Sequence, residues 1–154
     1  MSAMSIQKLV ASHGDIDDQF ILSLGAAVYF FSRAEWASIC CCHAMDGEYA
    51  NSTGGDKKPY AFNVAQKLIS LTEKLGKSEE RNALLAAAKD FMTLATDERN
   101  ALLHSYPATI DGTHELHNAK DNKSYNADAL EDYAQRAAEC SNTLTRLFNT
   151  FLKA

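Results

Sequence analysis

The chain has 154 residues, the size of one ordinary domain, and its 46% hydrophobic and 23% charged residues exclude wholesale disorder. A formal net charge of −5 excludes nucleic-acid binding by bulk electrostatics, so any such site has to be local. No apolar run nears the roughly 18 residues that span a bilayer. The start MSAMSIQKLVASHGDIDD lacks the apolar core of a signal peptide, and the expectation is a cytoplasmic protein with no membrane partner.

Residues 1–14 read as an N-terminal arm closed by Gly14. A first long helix is expected from Asp17 to about Met45, because Phe20, Leu24, Val28, Phe31, Ile39 and Cys42 recur at steps of three and four. Within it stand Cys40, Cys41 and Cys42. Successive helical residues point about 100° apart, so no single ion can use all three. Without CxxC pairs or a disulfide framework, they read as small, partly buried apolar residues in a reducing compartment.

Residues 46–59 are turn-rich and polar, a surface loop. Pro59 then suits the start of a second helix through Leu75, with Phe62, Ala65, Leu68, Ile69 and Leu75 inward and Gly76 at its end. Ser78 opens a third helix that runs to about His104, since Pro107 disfavours helix at Tyr106. Residues 106–125 form a loop whose weak alternation and Asp111-Gly112 pair leave room for a short β-hairpin. Asn126 caps a fourth helix facing inward with Leu130, Tyr133 or Ala134, Ala137, Cys140, Leu144, Phe148 and Phe151. The expected fold class is all-α, a four-to-five-helix bundle forming one domain over residues 1–154, with a possible short β-hairpin between the last two long helices.

One word is written twice. RNALL occupies residues 81–85 and again residues 99–103, but Ala86 follows the first copy where His104 follows the second. Eighteen residues make five ideal helical turns, so both copies are expected to face the same way. Arg99 continues the stripe Leu85, Ala88, Met92, Ala95, and a guanidinium on an inward stripe needs a partner or a polar cleft. Glu35, set between Phe31 and Ile39 on the first helix, is the candidate carboxylate.

The run R99-N100-A101-L102-L103-H104 resembles the R-x4-6-H motif of the HEPN superfamily, including the polar residue after the arginine. The long first helix with an acidic residue, the motif late in a later helix and the closing amphipathic helix are similar too, over residues 17–152. The resemblance implies a metal-independent endoribonuclease of toxin or phage-defence systems, usually a homodimer, acting on RNA and sometimes held by an antitoxin. It implies His104 as the acid/base group, Arg99 as the phosphate stabiliser, Asn100 as an orienting group and Glu35 as the residue holding Arg99. No cofactor or metal enters. Neutral imidazole can take the ribose 2′-hydroxyl proton while guanidinium donors meet the growing phosphoryl charge.

Residues five apart on an ideal helix are separated by about 140° around its axis, so Arg99 and His104 share a site only if the helix ends near Leu103 or two chains meet at a twofold. Plainer readings stand beside the motif. His104 is a helix C-terminal residue meeting the last carbonyls. His114 and His117 belong to a small metal or phosphate site or to solvated surface. Gly54-Gly55-Asp56-Lys57-Lys58 lacks the strand and spacing of a phosphate loop. Tyr29, Phe30, Phe31 and Trp36 form an aromatic face, in the core or at a dimer interface. The functional alternatives are a noncatalytic interaction module and a nucleotide- or phosphate-binding bundle.

Overall fold

In a computed structural model, residues 5–12, 17–49 and 60–153 are described. Helix α1 is Ile6–Ser12, inside the stretch expected as an N-terminal arm, and α2 is Asp18–Met45. The Asp17 side chain accepts from the Gln19 N–H and caps α2. Helix α3, Ala61–Glu73, follows Tyr60, and α4, Glu79–Thr93, begins where the Ser78 hydroxyl accepts from the Arg81 N–H at 3.0 Å. A π-helical segment, Leu94–Glu98, continues into a short helix α5, Arg99–Leu103. Strands β1 (Tyr106–Ile110), β2 (Thr113–Asn118) and β3 (Lys123–Tyr125) come next. Helix α6, Ala127–Leu147, is capped by Asn126 through the Ala129 N–H at 2.9 Å and runs on into a second π-helical segment, Phe148–Leu152.

The chain is therefore mostly helical but not all-α. The stretch 106–125, expected as a loop with one hairpin, is a three-stranded antiparallel sheet in the order β1-β2-β3. The expected hairpin is present: Asp111 and Gly112 both take positive φ, 50° and 80°, as a two-residue turn matched to strand twist requires. Pro107 lies in β1, at the sheet edge, where a missing N–H costs no ladder bond. The third strand exists because buried Asn118 organises the next turn, its Oδ1 accepting from the N–H groups of Lys120 (3.0 Å) and Asp121 (3.3 Å).

The core lies among α2, α3, α4 and α6. On α2 the buried face carries Phe20, Ala27, Phe31, Ala34, Ala37, Ser38, Cys41 and Cys42. This corrects the expected stripe at Val28, which is 54% exposed. The small residues decide the face, because they let α6 come close enough for a thiol to reach its backbone. Cys41 donates to the Leu144 carbonyl at 3.6 Å, Cys42 to Val64 of α3 at 3.9 Å, and Cys140 to Ala87 of α4 at 3.6 Å. Buried Ser38 and Thr72 instead return their hydroxyls to the carbonyls of Ala34 (2.8 Å) and Leu68 (2.7 Å). Phe31 stacks between Phe91 and Tyr133, with centroids 5.9 and 6.4 Å away.

On α3, Ala65 and Leu68 are buried as expected, and Val64 joins them, but Phe62 is 41% exposed. The residues of the glycine-lysine stretch 54–58 and Pro59 lie outside the described residues. No helix of the described residues is long and apolar enough to cross a membrane.

Burial pushes the thiols of Cys41, Cys42 and Cys140 up to about 12, whereas Cys40 is only half-buried. Because the thiolate is the reactive form, iodoacetamide is expected to modify Cys40 alone in the native protein and all four cysteines after urea unfolding. Mass spectrometry of the native reaction counts them. Fast labelling of a second thiol would contradict this helix packing.

Candidate functional site

The π-helical segment sets the geometry of the repeated word. In it the Arg99 N–H bonds to the Leu94 carbonyl, five residues back. The same carbonyl accepts from the Tyr133 hydroxyl of α6 at 3.3 Å. Glu98, the last residue of the segment, grips Arg136 of α6 with both oxygens, Oε1 to Nη1 at 2.8 Å and Oε2 to Nη2. Arg136 also reaches Asp132 through Nε at 2.9 Å. Burial, followed by the Glu98 charge, pushes the Tyr133 hydroxyl well above its ordinary range, so it remains a donor.

The wider turn breaks the five-turn phase relation between the copies. In the first copy Leu84 is buried and Ala83 half-buried, whereas in the second Ala101 is buried and its neighbour Leu102 only half-buried. The expectation that both copies face alike is therefore corrected: an i→i+5 turn between them consumes one residue more than an α turn. What the copies do share is local. Arg81 donates from Nη1 to Asn82 Oδ1 at 3.2 Å, and Arg99 donates from Nη1 to Asn100 Oδ1, also at 3.2 Å.

Arg99 and Glu35, which the sequence offers as partners, stand on the walls of one hollow. It measures about 140 Å³ and is lined also by Phe31, Tyr133, Ser32 and Leu103. The Arg99 guanidinium lies 6.0 Å from the Phe31 ring centroid, held over an aromatic face. Glu35 is half-buried on the α2 wall. The carboxylate that clamps a guanidinium between helices here is Glu98, on Arg136. Sequence reasoning missed both, although Glu98 directly precedes the motif, because a surface-reading pair on two helices has no spacing signature.

His104 does not line that hollow. Helix α5 ends at Leu103, and His104 follows as its cap, with φ −105° and its N–H on the Asn100 carbonyl at 3.1 Å. Its imidazole is exposed and has no hydrogen-bond partner among the described residues. Asn100 is exposed beside Arg99. Below them the motif helix is tied to the sheet: buried Asn118 donates from Nδ2 to the Ala101 carbonyl at 3.3 Å, and the Ser105 hydroxyl reaches the same oxygen. One chain thus gathers Arg99, Asn100 and Glu35 and leaves His104 on the adjoining surface.

His114 and His117 do not form a metal site. Three residues apart on β2 they point to opposite faces, His114 toward the Phe20 ring (6.3 Å) and His117 Nδ1 toward Ser124 Oγ (3.1 Å). Among the described residues no group of three His, Cys, Asp or Glu side chains could hold a metal ion. No family model matches the chain, and neither a curated protein nor a solved structure does.

The side chain of Arg136 is 40% exposed and that of Glu98 24%, so solvent discounts their attraction. A double-mutant cycle over Glu98→Gln and Arg136→Ala is expected to give a coupling of about 1 kcal/mol in urea unfolding, falling in high salt. Additive effects of the two changes would remove the clamp from the account of the π segment.

Proposed function

We propose that the chain is a HEPN-like, metal-independent endoribonuclease whose site is completed where two copies meet. One observation carries this reading. The Arg99 guanidinium, half-buried at an open hollow, spends one hydrogen bond on Asn100 and keeps further donors for an anion. A π turn directly before it adds weight, since such turns recur at functional sites.

The chemistry follows from the two motif side chains. The His104 imidazole takes the proton of a ribose 2′-hydroxyl, and the 2′-oxygen attacks the adjacent phosphorus. Arg99 meets the nonbridging oxygens with paired donors as charge grows on them, and Asn100 steadies its guanidinium. The bond to the 5′-oxygen breaks, that oxygen is protonated as it leaves, and a 2′,3′-cyclic phosphate remains. Glu35 supports Arg99 from the α2 wall. Because His104 stands off the hollow of its own chain, Arg99 of one copy serves His104 of the other.

A second reading has its own observation. The Arg81–Asn82 bond duplicates Arg99–Asn100 where no histidine follows, so the contact also arises as ordinary helix chemistry, which suits a noncatalytic interaction module. A phosphate-binding bundle without turnover differs from the nuclease only in forming no product.

End-labelled RNA incubated in EDTA is expected to yield cyclic-phosphate products that vanish with Arg99→Ala and with His104→Ala. Mixing the two variants under exchange conditions should restore about a quarter of wild-type activity, since half the dimers then carry one intact composite site. Loss in each variant without recovery on mixing would place both residues in one chain's site. Cleavage unaffected by either change would remove the nuclease reading.

A further inference from the structure

On the far side of Ser32 from the Arg99 hollow, α2 and the C-terminal end of α6 enclose a groove of about 440 Å³. Ser32 lines both, so the two concavities adjoin. Tyr29 and Trp36 stand on its α2 wall, 60% and 65% exposed, two helical turns and so about 10 Å apart. Half-buried Phe30 meets Tyr29 edge-on at 5.2 Å and fixes the angle of its ring. Arg33 lies between the two aromatics on the same wall, exposed and without a hydrogen-bond or ion-pair partner among the described residues.

Two further features set this groove apart from a bare apolar face. In a chain of net charge −5 no carboxylate among the described residues lines it, while Arg33 does and Lys153 sits 5.1 Å over the lining ring of Phe148. At its wall Ser141, 1% exposed, holds a hydroxyl that has no hydrogen-bond partner among the described residues. Flat rings and an unpaired guanidinium together match a strand of unpaired bases. Bases stack on aromatic faces and the backbone meets cations.

We propose that this groove binds single-stranded RNA, with bases stacked on Tyr29 and Trp36 and a phosphate on Arg33, and that the strand continues past Ser32 to present its next phosphate to Arg99. The proposal rests on the nuclease reading for the fate of that phosphate but not for the binding itself. It makes the substrate unpaired RNA, since a duplex keeps its base faces stacked and offers none to the rings. A protein partner on the same aromatic face is the competing occupant.

Trp36 is the chain's one tryptophan, so its emission reports occupancy of the groove directly. The intact protein is titrated with a 2′-O-methyl single strand of about ten nucleotides, which cannot be cleaved but fills a site of the usual length. Saturable quenching is expected for the single strand and not for its duplex. Tyr29→Ala should weaken binding about tenfold, the ratio that base–aromatic stacking implies. Arg33→Ala should lower the slope of log affinity against log salt by about 0.7, a change that mere loss of packing does not make. Arg99→Ala should keep the quenching while losing cleavage of ordinary RNA. Cleavage with no change in Trp36 emission would overturn the groove and spare the nuclease, whereas quenching without cleavage would do the reverse. Emission that follows protein concentration instead of RNA, with a matching rise in sedimenting mass, would assign the face to a second protein chain and overturn the proposal.

Discussion

The hydrogen bond from the Arg99 N–H to the Leu94 carbonyl spans five residues instead of four, and the geometry of the candidate site depends on that step. An uninterrupted α-helix from Ser78 would hold both RNALL copies in phase. The wider turn re-aims everything that follows, from the half-buried guanidinium of Arg99 to the buried Ala101 whose carbonyl receives Asn118 and Ser105. Helix α6 holds the turn from outside, with the Tyr133 hydroxyl on the Leu94 carbonyl and Arg136 on Glu98. An extra residue in a helical turn leaves backbone groups poorly matched, and side chains from a neighbouring helix are a direct way to satisfy them.

The same neighbour explains where the aromatic bulk went. The face of α2 toward the core is built from Ala27, Ala34, Ala37, Ser38 and Cys41, and that closeness lets thiols bond across to opposing backbones. With Phe20 and Phe31 the aromatics admitted, Phe31 stacked between Phe91 and Tyr133, the rings of Tyr29 and Trp36 fall on the flanks. Tyr29 and Trp36 are exposed for this reason, and Val28 with them. Close packing inside and a ring-lined groove outside are two results of one choice of small residues.

The hollow and the groove meet at Ser32 but differ in charge. Glu35 faces the Arg99 side, and the Trp36 side carries Arg33 and, among the described residues, no carboxylate. An acidic protein that engages a polyanion needs such local segregation, because its net field repels the ligand everywhere else. The sheet adds no side chain to either concavity. Its part is mechanical, anchoring the end of α5 through Asn118 so that His104 leaves the helix at a fixed place.

Periodicity, caps and breakers determined the helices from Asp18 onward to within a residue or two, whereas Ile6–Ser12 reads in the sequence only as an arm. Asp17, Ser78 and Asn126 each cap the helix that follows, and Asp111-Gly112 turns the hairpin, because these effects act within a few residues of chain. The inward stripe of α6 was legible for the same reason, being strongly two-faced, whereas α2 is apolar nearly all round and its face could not be told from spacing. The candidate site was legible as residues: Arg99, Asn100, His104 and Glu35 stand out as polar groups in apolar or repeated surroundings. Their arrangement was not, since a π turn has the same composition as an α turn and is selected by what lies across from it. Tyr133, Glu98 and Arg136 join only when α6 folds against the end of α4, and no local rule relates residues 94, 98, 133 and 136. Local hydrogen bonding and side-chain periodicity thus belong to the sequence alone, and the phase of the motif, the exposed aromatic groove and the separation of His104 from Arg99 belong to the packing of distant helices.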